Sequence, residues 1–257
     1  MNRRSRVEII GIKVDVISWE KSIEKILYWS KCRKGKRIYL VNVHSLVTAR
    51  TNKTFKNIIH KSSLSLPDGA PIVWFSNLIG FKQKRRIAGP DLMEELIRQC
   101  ESRNLSIYFF GSTPENINIL NSKLESDFPK LIFKTESPPF RKQTTNEKFL
   151  TLKKINSFNA NIVFVGLGCP KQEIWINEAS KSINAPILGV GAAFDFYTGN
   201  VKRAPFLLRK YGLEWFFRLL MDPERLFLRY IKTNSIFLFL AIKQLINKFY
   251  LEKNKNN

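Results

Sequence analysis

Between residues 38 and 190 the chain alternates six short apolar runs with six helix-like stretches, and this alternation limits the fold more than any other feature. The runs lie at 38–43, 63–66, 106–110, 131–134, 162–165 and 186–190. The helix-like stretches lie at 45–59, 69–78, 91–103, 114–128, 146–157 and 170–182. Continuous apolar runs of this length fit strands buried on both faces, and strands alternating with helices predict an α/β fold with a Rossmann-like, doubly wound, mostly parallel sheet. Ahead of the alternation, residues 7–17 predict a small hairpin around Gly11 and residues 19–32 a first helix.

Two of the runs end in the same way. N-I-V-F-V-G-L-G-C-P-K-Q-E occupies 161–173, and A-P-I-L-G-V-G-A-A-F-D-F-Y-T-G occupies 185–199. Each apolar run breaks at glycines and polar residues follow at once. In an open α/β sheet the loops beyond the carboxyl ends of the strands are where ligands bind. These two pieces therefore predict one site, with Lys171, Gln172, Glu173 and Asp195 as its polar side chains. The glycines at 166 and 168 begin a dinucleotide fingerprint that is not completed, because position 171 is lysine; a nicotinamide-dependent oxidoreductase is the weaker alternative on such a sheet. Gln172 offers both a donor and an acceptor to a base, a ribose or a sugar.

Other strand ends add candidates. Leu66-Pro67-Asp68-Gly69 puts a carboxylate at the ligand edge, where it serves either as a general base or as the cap of the next helix. At Gly111-Ser112-Thr113-Pro114-Glu115 a glycine turn leads into a helix start whose free N–H groups favour an anion. Arg86, in the basic segment 84–86, suits phosphate or sugar oxygens.

After residue 201 the pattern changes. Residues 202–257 carry no strand signal, many Lys and Arg, and nine aromatic residues between Trp215 and Tyr250. Asp222-Pro223-Glu224 reads as a helix start. Arg225, Arg229 and Lys232 then share one face of the helix it opens. The expected organisation is a core over 1–201 and a basic, aromatic-rich helical appendage of two or three helices over 202–257.

Composition narrows the partners without choosing one. Forty-three Lys and Arg against 21 Asp and Glu give a net charge of +22, which draws the chain to polyanions: nucleic acid, anionic lipid or phosphorylated substrates. Basic residues are scattered, and no helix-turn-helix, RNA-recognition or zinc pattern appears, so a nucleic-acid-binding module is a second alternative and no nucleic acid is expected. The three cysteines lack paired spacing, and the two histidines lie away from cysteine or carboxylate clusters in sequence. No disulfide framework and no metal site are expected, and the compartment is expected to be reducing. The basic N-terminus lacks the apolar segment of a signal peptide. The longest apolar run, 236–242, falls short of the roughly 20 residues of a spanning helix. A cytoplasmic protein that touches a membrane is the expectation.

The ordered blocks resemble one family over about residues 7–237. L-P-D-G at 66–69, R-I-A-G-P-D-L-M at 86–93, F-F-G-S at 109–112, V-G-L-G-C-P-K-Q-E at 165–173, V-G-A-A-F-D-F-Y-T-G at 190–199, K-R-A-P at 202–205 and G-L-E-W-F-F-R-L-L-M-D-P-E-R at 212–225 are similar to the WecG/TagA/CpsF glycosyltransferases of bacteria. The resemblance implies inverting, metal-independent transfer of a sugar from a UDP-sugar donor to a polyprenyl-diphosphate-linked saccharide. It implies a site on the inner face of the cytoplasmic membrane, in cell-surface polysaccharide synthesis. It implies no cofactor, a membrane-associating C-terminal appendage, and leaves room for a homo-oligomer. Carried over residue by residue, it implies Asp68 as catalytic base, Asn42 beside the sugar, Arg86 and Gln172 lining the donor pocket and Asp195 at its far side; Gly111 and Gly168, from the glycine turns after their strands, are the further substrate-binding candidates. It also implies that the appendage arginines Arg218, Arg225 and Arg229 close over the diphosphate. Leu40 stands where many N-acetylmannosaminyl transferases of the family carry threonine, which leaves the sugar open between N-acetylmannosamine and a related hexose or uronic acid.

Overall fold

The computed structural model describes residues 4–254, without the side chains of Arg225, Glu252 and Lys253. A two-stranded antiparallel hairpin, β1 (Arg6–Ile9) and β2 (Ile12–Asp15), turns at Ile10 and Gly11, both at positive φ. Helix α1 (Trp19–Lys31) follows, capped by Ser18. The main sheet has six parallel strands: β3 (Lys36–Val41), β4 (Leu64–Pro67), β5 (Ile107–Gly111), β6 (Phe133–Glu136), β7 (Ile162–Gly166) and β8 (Pro186–Gly189). Their spatial order is β4-β3-β8-β7-β5-β6. The chain builds outward from β3 to β4 at one edge and from β5 to β6 at the other. β7 and β8 then fill the middle. Strand direction of travel diverges there, and the crevice at the carboxyl ends of the central strands is the ligand position such a sheet provides.

The apolar runs are continuous because both faces are covered. Side chains alternate between two cores. Tyr39, Val41, Tyr108, Phe110, Val163, Val165 and Ile187 point to one face, packed under the hairpin, α2 (Val43–Thr51), α3 (Lys53–His60) and α8 (Lys171–Ala179). Ile38, Leu40, Ile107, Phe109, Ile162, Phe164 and Leu188 point to the other, under α1, α5 (Gly89–Glu101), α6 (Pro114–Asp127) and α9 (Ala193–Thr198). The remaining helices of this part are α4 (Ala70–Leu78) and α7 (Thr145–Ser157).

One expectation is corrected. The single helix read over 45–59 is two helices, α2 and α3. Asn52 interrupts them in extended backbone, φ −121° and ψ 105°, and its side chain accepts from the Phe55 N–H at 2.9 Å. A polar residue that can cap locally competes with helix continuation at that point.

Residues after 202 form three helices, α10 (Phe206–Lys210), α11 (Glu214–Met221) and α12 (Pro223–Lys253). α12 does not stand apart from the sheet. Leu226, Thr233, Phe237 and Ala241, seven, four and four residues apart, are buried on one stripe of it. Phe237 meets Phe75 of α4 edge-on at 6.1 Å. Further along the stripe, Gln244 accepts from the Ile10 N–H and donates to the Glu8 carbonyl, each at 2.7 Å, and Lys248 donates to the Ile79 carbonyl at 2.7 Å. The opposite stripe, Leu228, Ile231, Leu238, Ile242, Ile246 and Phe249, is exposed. No helix among the described residues is long and apolar enough to cross a membrane.

Candidate active site

A cavity of about 1660 Å³ opens at the carboxyl ends of β3, β4, β5, β7 and β8, roofed by α11 and α12. Its size is well above that of a single small-ligand pocket.

Asp68 sits in its wall immediately after β4. Its N–H bonds the Val41 carbonyl at 2.8 Å, which fixes it against the end of β3. It does not cap α4: Gly69, at φ 113°, takes the N-cap position and no side chain bonds there. Asn42, one residue past β3, caps α2 through a reciprocal pair with Ser45. The Ile87 N–H bonds the Pro67 carbonyl at 2.8 Å, so the segment carrying Arg86 is pinned beside the same strand end. The result brings Asn42, Asp68 and Arg86 together from three separate parts of the sequence.

Burial pushes the Asp68 carboxyl up from its ordinary 3.8 to about 6. Arg86 opposes the rise, Glu214 adds to it, and Arg218 and Asn42 favour the charged form. A carboxylate tuned this way is a stronger base than a solvated one and still largely ionised near neutrality.

On the other side of the crevice, Gly111 and Gly166 face each other in register. Gly111 has φ +133°, and a Cβ there would lie 2.5 Å from the Gly166 carbonyl oxygen. Ser112 donates its N–H to that carbonyl at 3.1 Å. Asn116 then donates to Ser112 Oγ at 2.7 Å and to Asp195 Oδ1 at 2.8 Å, joining the loop after β5 to the start of α9. Gly168, at φ +75°, has open space on its cavity side. Gln172 is almost wholly buried. Its side-chain carbonyl accepts the Gly191 N–H at 3.0 Å and its amide nitrogen donates to Glu173 Oε1 at 2.9 Å. The two glycine-broken strand ends are thus bonded to each other.

From the roof, Arg218 lies 5.1 Å from the Phe196 ring and Arg229 5.7 Å from the Tyr230 ring, both within attractive range. Both line the cavity, Arg218 on the Asp68 side and Arg229 near His44 and Cys169. The Arg225 side chain lies outside the described residues.

Two residues escape the sequence reading. Glu214, at the start of α11, holds Arg86 in an ion pair in which both side chains are largely buried. It is the one acidic residue between Lys202 and Met221, a signal present in the sequence and not used. His44, at the start of α2, lines the cavity with Nδ1 buried and unpaired, and burial, reinforced by Arg229, lowers its proton affinity. A lone histidine gave no sequence cue to this position.

The glycosyl transferase WecG/TagA/CpsF family model matches residues 7–250. An N-acetylglucosaminyldiphosphoundecaprenol N-acetyl-beta-D-mannosaminyltransferase of Bacillus subtilis (strain 168) is 32% identical over 192 residues, 74% of this chain and 73% of that protein. Proteins of the same name from Staphylococcus aureus strains MW2 and NCTC 8325 / PS 47 are 26% and 25% identical over 242 residues, 93% of each chain.

Proposed function

The chain belongs to the glycosyl transferase WecG/TagA/CpsF family and is a glycosyltransferase, and from that premise we propose which sugar transfer it performs and how. The donor is a UDP-sugar, carrying N-acetylmannosamine or a related hexose or uronic acid. The acceptor is a polyprenyl-diphosphate-linked saccharide, in keeping with the acceptor in the relatives' names. The observation that carries the reading is Asp68, a half-buried carboxylate with raised proton affinity at the cavity wall, flanked by cationic side chains.

In this reading Asp68 takes the proton of the acceptor hydroxyl. The hydroxyl oxygen attacks the anomeric carbon from the face opposite UDP, the bond to the diphosphate oxygen breaks, and UDP leaves with its electron pair. The anomeric centre inverts. Negative charge grows on the diphosphate as the bond lengthens, and fixed cations aimed there stabilise it without reorganisation. Arg218 and Arg229 line the cavity from the roof, and Arg225 joins them in sequence on α12. These arginines take the charge-neutralising role without a metal. Gly111, Gly168, Gln172 and Asp195 shape the donor side, and Asn42 stands beside the sugar. The roof helices exclude the water that would otherwise hydrolyse the donor.

The exposed stripe of α12, with Phe206 and Leu207 of α10 and Leu220 and Met221 of α11, fits contact with lipid, as for an amphipathic helix lying in the interface. A net charge of +22 adds attraction to anionic headgroups, about 1 kcal/mol per basic residue near the surface. The enzyme is accordingly proposed to work peripherally on the inner face of the cytoplasmic membrane, where a lipid-linked acceptor is presented, either as one copy or as a homo-oligomer.

The deciding experiment incubates purified protein with a panel of UDP-sugars and a short-chain prenyl-diphosphate N-acetylglucosamine, with and without EDTA. Mass analysis identifies the product and NMR its anomeric configuration. One inverted product that survives EDTA supports the reading; retention of configuration, or no product from any UDP-sugar, overturns it.

A further inference from the structure

We propose that Glu214 is a positioning residue for the transfer: from α11 it holds the Arg86 guanidinium in an ion pair and so keeps it from pairing with the Asp68 carboxylate, which stays ready to take the acceptor's proton. The inference rests on the reading of Asp68 as base and deepens it.

The geometry is specific. The Ile87–Pro67 backbone bond pins the segment carrying Arg86 beside the strand end that carries Asp68, and of the cations acting on the Asp68 carboxyl Arg86 has the larger effect and Arg218 the smaller. Left alone, an arginine in that place pairs with the carboxylate, and a paired carboxylate is a poor proton acceptor. Glu214 prevents this by taking Arg86 Nη2 itself, with the Arg86 and Glu214 side chains only 19% and 10% exposed. The ionised groups facing Asp68 are then Arg86 from the segment before α5, and Glu214 and Arg218 from α11, with the Asn42 amide from the end of β3. Arg86 also feels Asp91 of α5. Glu214 is the acidic member of this group that comes from the appendage, 146 residues after Asp68. α11 therefore does more than cover the cavity. It delivers the carboxylate that occupies Arg86.

The test measures the carboxyl titration of Asp68 directly. Protein labelled with 13C at aspartate carboxyls is titrated as wild type, Glu214→Gln and Arg86→Gln, and the Asp68 signal is identified by its loss in Asp68→Asn. Glutamine at 214 keeps a hydrogen-bond acceptor but removes the charge, so the Asp68 midpoint is expected to fall by about one pH unit. Arg86→Gln removes the cation and leaves Glu214 unneutralised, so the midpoint is expected to rise. The acid limb of the kcat/KM profile moves with each midpoint, a response that a merely structural role would not give. An Asp68 midpoint unchanged in Glu214→Gln overturns the inference. Should that variant not fold, an unchanged or lowered midpoint in Arg86→Gln overturns it equally. Transfer retained by Asp68→Asn overturns the base reading itself, whatever the midpoints do.

Discussion

The side-chain carbonyl of Gln172 accepts the backbone N–H of Gly191 at 3.0 Å, fastening the loop after β7 to the loop after β8. The same amide donates to Glu173, whose side chain is almost wholly buried. Gln172→Leu keeps the volume and removes both bonds. The stranded Gly191 N–H and Glu173 Oε1 make the variant less stable by about 1–3 kcal/mol, since a buried polar group left unpaired bears its full desolvation cost. Chemical denaturation reads the loss. Donor affinity falls with it, because the two loops lining the donor side are no longer held in register.

Asp68→Asn is expected to keep the fold and UDP-sugar binding while transfer drops roughly 10²–10⁴-fold, the range a positioned base contributes. A donor-binding titration beside a radiolabelled transfer assay separates the two effects. Near-wild-type transfer by this variant removes Asp68 from the chemistry.

The same substitution has an opposite effect on stability. The Asp68 carboxyl is raised from 3.8 to about 6, chiefly by burial. Between those values the folded state still holds a proton that the unfolded chain has released. The stabilisation from this group is therefore full below about pH 3.8 and lost as pH rises through about 6. The shift corresponds to at most about 3 kcal/mol, reduced by whatever water in the cavity screens the charge. Asp68→Asn removes this penalty, so it melts above wild type at pH 7.5, and the gap closes by pH 4. Thermal melts across that range check the sign. A variant that melts below wild type at pH 7.5 shows that the hydrogen bonds of the carboxylate outweigh its burial.

Much of this was legible in the sequence, for identifiable reasons. Strands such as Ile162–Gly166 are buried on both faces, so they appear as unbroken apolar runs, and the glycines that end them mark the sheet edge where ligands bind. Asp68 is visible because it directly follows such a strand. What stayed hidden depends on long-range placement. The pairing of Arg86 with Glu214 joins residues 128 apart and exists only because α11 folds back over the crevice. Gln172 reads as an amide on the ligand side, and its second role, tying the Gly191 N–H to Glu173 across two strand ends, exists only in the fold. In α12 the arginines draw attention to one face, and the inward stripe of Leu226, Thr233, Phe237 and Ala241 becomes evident only when α2 and α4 supply the surface it covers.

That two-sided character of α12 allows its roles to be separated. Phe237 is buried against Phe75, so Phe237→Ala removes a packed ring and costs about 3–5 kcal/mol, read in thermal or denaturant melts. Leu228, Phe239 and Phe249 are each more than 60% exposed, and replacing them with glutamine costs little stability because no packed neighbour is lost. If the outward stripe rests on lipid, the triple variant Leu228→Gln/Phe239→Gln/Phe249→Gln loses most of its binding to vesicles containing anionic lipid. Transfer to a water-soluble short-chain acceptor stays within about twofold of wild type, since none of the three residues lines the cavity. Vesicle co-sedimentation and the short-chain assay, run side by side, give the two readouts. Unchanged sedimentation assigns membrane contact elsewhere, whereas a parallel loss of short-chain activity shows that the stripe supports the roof of the site rather than its approach to lipid.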